Sequence, residues 1–256
     1  MPEAATQNWE ALLPADKGPL PLGGRLVRTD PRGPVPAPIA IVGLYPALTR
    51  MANWERADGV RKLPVEVERQ SFEGSASARE LKEQYFTPLG IAGDRAFLID
   101  LYPYYLANAA ATGERGRSMW DNVMTWQEEK KSCLDLRCRP APDEMIDWCR
   151  ELEGNEARLA YWFSRCQPRL MLTLGAEAAA FARGFRGDGA ARRGQEQLYQ
   201  EPFASTAFGP APLAVVHCAH PGVLMRTKKG GWRKTHADWC AGRGRELVRA
   251  ALDGRP

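Results

Sequence analysis

Four stretches of the chain are continuously apolar rather than alternating: Pro38-Ile39-Ala40-Ile41-Val42-Gly43, Ala96-Phe97-Leu98-Ile99-Asp100-Leu101, Leu170-Met171-Leu172-Thr173-Leu174-Gly175 and Leu213-Ala214-Val215-Val216-His217-Cys218. Short runs of this kind read as strands buried on both faces, which is the habit of a parallel sheet. Helical patterns lie between them. Ser77-Ala78-Arg79-Glu80 forms a capping box that opens a helix to about Phe86, where Thr87-Pro88 is expected to stop it. Pro142-Asp143-Glu144 starts a long pattern through Trp148, Leu152, Leu159 and Trp162. Ala176–Arg183 reads as a short alanine-rich helix and Trp232–Leu252 as a terminal one. The alternation predicts an α/β fold, a three-layer α/β/α sandwich around a central, mainly parallel four-stranded sheet.

Two regions fall outside that pattern. Residues 1–37 are rich in proline and glycine (PLPLGG, DPRGPVPAP) and are expected to bury little, wrapping the surface as an arm. Asn108–Leu136 is polar with two tryptophans, Trp120 and Trp126, and reads as a helical insertion within a single domain over 38–256.

Composition narrows the class. With 44% hydrophobic and 26% charged residues the chain is ordinary for a globular protein. No apolar run approaches the roughly 18 residues of a membrane span, and the start, MPEAATQNWEALLPADKG, has no basic segment followed by an apolar one. A cytoplasmic protein without membrane contact is therefore expected, and its six cysteines read as reduced, buried thiols. The net charge of +4 is mild, but residues 201–256 hold nine basic and four acidic residues. Five of the nine, Arg226, Lys228, Lys229, Arg233 and Lys234, lie close together, as phosphate contacts require.

In open parallel sheets the site lies beyond the carboxyl ends of the strands. The first run leads into Gly43-Leu44-Tyr45-Pro46-Ala47 and the second into Asp100-Leu101-Tyr102-Pro103-Tyr104-Tyr105. The third leads into Gly175-Ala176-Glu177 and the fourth into His220-Pro221-Gly222-Val223-Leu224-Met225-Arg226. Neither a dinucleotide fingerprint nor a P-loop is present, and no zinc or EF-hand spacing occurs. Glycosidic chemistry, which needs few groups, remains open.

Five segments, in order, resemble the uracil-DNA glycosylase superfamily. Ile41-Val42-Gly43-Leu44-Tyr45-Pro46-Ala47 is similar to its first motif, and Arg69-Gln70-Ser71-Phe72-Glu73-Gly74-Ser75 to the segment whose aromatic stacks on the extruded base. Phe97-Leu98-Ile99-Asp100 is similar to the strand end that carries the base-reading Asn. Pro168–Ala179 resembles the strand–Gly–helix unit of the iron–sulfur branch, and Ala219-His220-Pro221-Gly222-Val223-Leu224 the His-Pro-Ser motif with its wedge. The resemblance implies that the protein flips a base from double-stranded DNA. The base would be held by Gly43, Leu44, Tyr45, Ala47 and Phe72 and read by Asp100, with His220 stabilising it as it leaves. Leu224, helped by Met225, would fill the vacated stack, beside the basic residues named above.

The departures from that family are specific. No cysteine occurs before Cys133, so Cys138 and Cys149 lack an N-terminal pair, and no iron–sulfur cluster, metal or organic cofactor is expected. The positions of the water-orienting carboxylate are Leu44 and Tyr45, leaving Glu73, Asp58 and Glu55 as candidates by proximity in sequence. Gly222 replaces a serine, although its N–H remains for a phosphate. Asp100 replaces Asn; an ionised Asp accepts from the cytosine amino group, and a protonated one answers N3 as well. Ala47 replaces a Tyr that blocks substituents at pyrimidine C5. Excision of plain cytosine would destroy the host genome, so the expected target is a marked cytosine, such as hydroxymethyl- or glucosyl-hydroxymethylcytosine of phage DNA. The expected protein is a monomeric, monofunctional DNA glycosylase that leaves an abasic site. Its rivals are a uracil or deaminated-base glycosylase and a catalytically inactive DNA-binding module of the same fold. Tyr102, Tyr104 and Tyr105 read equally as pocket lining or as core.

Overall fold

A computed structural model describes residues 8–48, 50–65, 76–107, 119–206, 208, 213–226 and 231–254; at 76, 77, 225 and 226 only the backbone is described. The four apolar runs form β1 (Ile39–Gly43), β2 (Ala96–Asp100), β3 (Leu170–Leu174) and β5 (Leu213–Cys218), and a further strand, β4 (Phe203–Ser205), joins them. The order across the sheet is β4-β5-β3-β1-β2. β5, β3, β1 and β2 run parallel to their neighbours, while β4 is antiparallel to β5. The expected four-stranded sheet is thus corrected to a mixed five-stranded one. β4 escapes the sequence pattern because an edge strand of three residues carries no periodicity.

The sheet is apolar on both faces because both are covered. Ala40, Val42, Phe97, Ile99, Met171 and Val215 join a first core with Met145, Leu159 and Phe163 of helices Pro142–Glu151 and Asn155–Cys166. Ile39, Ile41, Leu170, Leu172 and Val216 face a second core with Leu81, Tyr85, Trp239 and Val248. The two helices of the first layer are one pattern in the sequence; Gly154, at φ 79°, breaks them apart. The terminal pattern is likewise two helices, Trp232–Ala241 and Arg243–Asp253, bent at Gly242. Here the Trp239 ring lies where a Cβ on Gly244 would come within 2.6 Å of it.

Thr87-Pro88 does not stop its helix. Ala76–Leu81 continues through a π-helical turn, Lys82–Phe86, into Thr87–Leu89, and ends at Gly90 with φ 72°. Pro88 brings no N–H to the carbonyl four residues back, that of Gln84. The widened turn presents that carbonyl to His236, whose Nε2 lies 2.7 Å away.

The expectation that the N-terminal segment buries little is corrected for the residues described. Trp9, Leu13, Leu20 and Leu26 are buried. The segment pairs Asp16–Pro19 with Arg25–Val27 and then lies along the outer edge of β2, where Arg32 and Leu98 exchange backbone hydrogen bonds. It covers an edge that would otherwise be open. Within the polar insertion, Met119–Lys130 is helical; it packs Met119 and Val123 against Leu63 of a hairpin, Met51–Arg56 with Gly59–Pro64. Positions 108–118 lie outside the described residues. The six cysteines form no disulfide with one another, but Cys133 is exposed and Cys138 half-buried, so the expectation of six buried thiols holds for four. Among the described residues no helix is long and apolar enough to cross a membrane.

Gly33, at φ 96°, lets the N-terminal segment reach β2: a Cβ there would sit 2.1 Å from the Ala96 carbonyl oxygen. Gly33→Ala is therefore expected to destabilise the fold by about 2 kcal/mol or more, measured as a lower urea midpoint with an unchanged slope.

Candidate functional site

The parallel strands end on one rim. β1 delivers Gly43, Leu44 and Tyr45; β2 delivers Asp100; β3 is followed by Gly175 and Glu177; β5 is followed by Ala219 and His220. Asp100 and Gly43 are register partners, and the Asp100 carboxylate fills the space in front of the glycine: a Cβ on Gly43 would be 2.1 Å from Oδ1. Burial raises the Asp100 pKa to about 6, against the opposing pull of the Arg158 and Arg32 guanidiniums.

The backbone under Asp100 is fixed by buried polar groups. Arg158 is 1% exposed, and its Nη2 donates to the Asp100 carbonyl at 2.7 Å and the Leu101 carbonyl at 2.9 Å. Its Nε donates to Asn155 Oδ1, and Asn155 Nδ2 donates to the Leu101 and Cys149 carbonyls. Burial lowers the Arg158 pKa to about 10, with Asp100 the largest opposing influence.

His220 stands at the other side of the rim and is exposed. Its Nδ1 accepts the Gly222 N–H at 3.0 Å, so the neutral ring carries its proton on Nε2. The Gly222 N–H, expected to remain for a phosphate, is thus engaged by His220. A Cβ on Gly222 would lie 3.2 Å from Nδ1, which is crowded for the serine of the resembled motif. The peptide before His220 is clamped. The Ala219 N–H donates to the Tyr199 hydroxyl at 3.0 Å, and the buried Tyr85 hydroxyl donates to the Ala219 carbonyl. Tyr199 in turn lies 2.9 Å from His236 Nδ1. Because the Gln84 carbonyl only accepts, His236 Nε2 is the donor and Nδ1 the acceptor, which orders the chain Ala219 N–H to Tyr199 O–H to His236 to Gln84. Burial lowers the His236 pKa and keeps the ring in that neutral form. The third histidine, His217, is buried between Thr173 and Arg183, with its pKa lowered to about 3 by burial.

The remaining expected residues are spread more widely. Leu44 is buried in the first core, Tyr45 is half-buried and Ala47 exposed. Leu224 is corrected: it is fully buried in the second core and does not project, while Val223 beside it is 40% exposed. Arg233 and Lys234 are exposed at the start of Trp232–Ala241, Arg233 lying 3.9 Å from Glu80. Phe72, Glu73, Lys228 and Lys229, and the side chains of Met225 and Arg226, lie outside the described residues. Tyr102, Tyr104 and Tyr105 are all buried, with Tyr104 donating to the Pro14 carbonyl. Asp58 and Glu55 belong to the hairpin of Met51–Arg56 with Gly59–Pro64. Arg56 and Arg61 hydrogen-bond the Asp58 carboxyl and hold its pKa at about 2.

Sequence reasoning missed one pair. Arg139 Nη2 meets Glu177 Oε1 at 2.6 Å, and the Arg139 guanidinium lies 5.5 Å over the Tyr45 ring. Arg139 reaches the rim because Arg137–Cys138 pairs with Leu106–Ala107, which also bridges Ala47. Glu177 was readable in principle as the first charged residue after β3; its partner, 38 positions away, left no signal.

The raised Asp100 pKa makes stability depend on pH. Between about pH 4 and about pH 6 the folded protein holds a proton that the unfolded chain has released, so stability falls as pH rises through that window. Asp100→Asn is expected to flatten this dependence and to exceed the wild type by about 1–3 kcal/mol above pH 6, as read from urea midpoints at pH 4.5 and 7.5. No protein-family model matches the chain, and no curated protein is similar enough to count as a relative.

Proposed function

We propose that the protein is a monofunctional DNA glycosylase that flips a C5-modified cytosine, such as hydroxymethyl- or glucosyl-hydroxymethylcytosine, out of double-stranded DNA and leaves an abasic site. One observation carries this reading: a half-buried carboxyl with a pKa raised to about 6 and an exposed histidine with a fixed Nε2 donor stand on the same sheet rim. Three strand spacings separate β2 from β5, roughly 14 Å between axes, a gap suited to a pyrimidine hydrogen-bonded at both edges.

In this reading the protonated Asp100 donates to cytosine N3 and accepts from the N4 amino group, two bonds that an ionised carboxylate cannot both make. His220 Nε2–H donates to the pyrimidine O2. As the C1′–N1 bond breaks, its electron pair moves onto the base, and the charge at O2 strengthens that hydrogen bond. A water oxygen bonds to C1′, and the released base takes up a proton. Gly43 supports the reading, since only a residue without Cβ leaves Asp100 its position. Ala47, exposed at the rim, supplies no bulk against a C5 substituent. With Leu224 buried, Val223 is an exposed apolar side chain among the described residues that could enter the vacated stack, and Arg233 and Lys234 supply phosphate contacts. The protein acts as a cytoplasmic monomer and needs no metal or organic cofactor.

A panel of duplexes containing uracil, cytosine, 5-hydroxymethylcytosine and glucosyl-5-hydroxymethylcytosine tests this by alkaline cleavage at abasic sites. Cleavage confined to the modified cytosines is expected; release of uracil alone identifies a deaminated-base enzyme, and no cleavage identifies a binding module. His220→Ala is expected to slow base release by about 100-fold or more while duplex binding persists. The rate should also fall as pH rises through about 6, as Asp100 loses its proton. A rate rising through that range assigns the ionised form as the reader.

A further inference from the structure

The loop after β1 holds Leu44 and Tyr45 where the resembled family keeps a water-orienting carboxylate, so hydrolysis at this rim needs a carboxylate from another element. Asp100 is committed to the base in the proposed reading, Asp58 and Glu55 lie on the hairpin, and Glu73 lies outside the described residues. Glu177 stands on the rim itself. An ideal Cβ built on Gly175 would lie 3.7 Å from Glu177 Oε2 and 3.5 Å from the Cβ of His220, so both side chains flank the same point in front of Gly175. Gly175 has φ 103° and carries no side chain to close that space.

The carboxylate is oriented. Arg139 takes Oε1 at 2.6 Å, and Oε2 makes no hydrogen bond among the described residues. Arg139 is fixed in turn by its backbone N–H on the Ala107 carbonyl at 2.8 Å and by the Tyr45 ring beneath its guanidinium. Its Nε is buried without a hydrogen-bond partner among the described residues, so the pair retains both an acceptor and a donor.

We infer that Glu177, oriented by Arg139, is the carboxylate that positions and deprotonates the attacking water. The inference rests on the glycosylase reading. The water donates one proton to Oε2 as its oxygen bonds to C1′, and the C1′–N1 pair leaves on the base held by His220. The base then takes a proton from solvent and Glu177 returns its own to solvent, so one water is divided between sugar and base. A carboxylate used in this way contributes about 100-fold or more to rate, and little to binding.

Single-turnover base release, duplex affinity and thermal midpoint are compared for the wild type, Glu177→Gln, Glu177→Asp, Arg139→Gln and His220→Ala. The affinity probe is a duplex with 2′-fluoro at the target nucleotide, which resists cleavage. Glu177→Gln is expected to slow release by about 100-fold with affinity and midpoint unchanged. Glu177→Asp recovers part of the rate, and Arg139→Gln lowers it by a smaller factor. Release by Glu177→Gln within about threefold of the wild type overturns the inference while His220→Ala, if inactive, leaves the glycosylase reading standing. A parallel loss of rate, affinity and midpoint in both Glu177 variants also overturns it, reducing the pair to a structural salt bridge. If the wild type releases no base, the reading falls and the inference with it.

Discussion

A guanidinium buried without a salt-bridge partner in contact among the described residues is a costly group for a protein to hold. Arg158 is held because the end of β2 needs it. Where the chain leaves the sheet at Asp100 and Leu101, the two carbonyls face helix Asn155–Cys166, and Arg158 and Asn155 supply the donors. The helix is thereby locked to the strand end, and Asp100 is presented over Gly43 from a backbone that cannot drift. The same charge lies close enough to pull the Asp100 pKa down, yet burial prevails and raises it to about 6. The position of Asp100 depends on this contact, and its protonation on burial set against the same charge.

The other side of the rim solves a similar problem with neutral groups. Pro88 leaves the Gln84 carbonyl in want of a donor; His236 supplies it, and the tautomer that results lets the ring accept from Tyr199. Tyr199 then accepts the Ala219 N–H, and Tyr85 donates to the Ala219 carbonyl. A proline inside a helix is thus linked, through a π turn and one histidine, to the peptide that carries His220. The chain works only while His236 is neutral, which burial favours. Precise placement of His220 through a rigid second layer is what electrostatic stabilisation of a leaving group requires.

Between these two anchors the rim carries mixed electrostatics: a carboxyl with its pKa raised to about 6 at Asp100, an ion pair at Arg139 and Glu177, and an exposed imidazole at His220. The arrangement suits the proposed reaction, in which negative charge moves from the sugar onto the departing base and water is held apart from the group proposed to read that base. The N-terminal segment contributes from the opposite edge, closing β2 and bringing Arg32 toward Asp100.

The strands and their ends were legible from residue pattern alone, because burial on both faces leaves a continuous apolar run and the rule of carboxyl ends then locates the rim. Gly43, Asp100, Glu177 and His220 were all visible as residues at those ends. Pattern failed where tertiary contacts override local signals. Pro88 lies inside a helix whose Gln84 carbonyl meets His236; Leu224 is buried in one core with Cys218 and Tyr85; and the N-terminal segment buries Trp9, Leu13, Leu20 and Leu26 and pairs Arg32 with Leu98 at the β2 edge. The pairing of Arg139 with Glu177, the clamp on Ala219 and the guanidinium under Asp100 join residues far apart in the chain. Each depends on distances set only when helices close over the sheet, and one-dimensional periodicity carries no record of them.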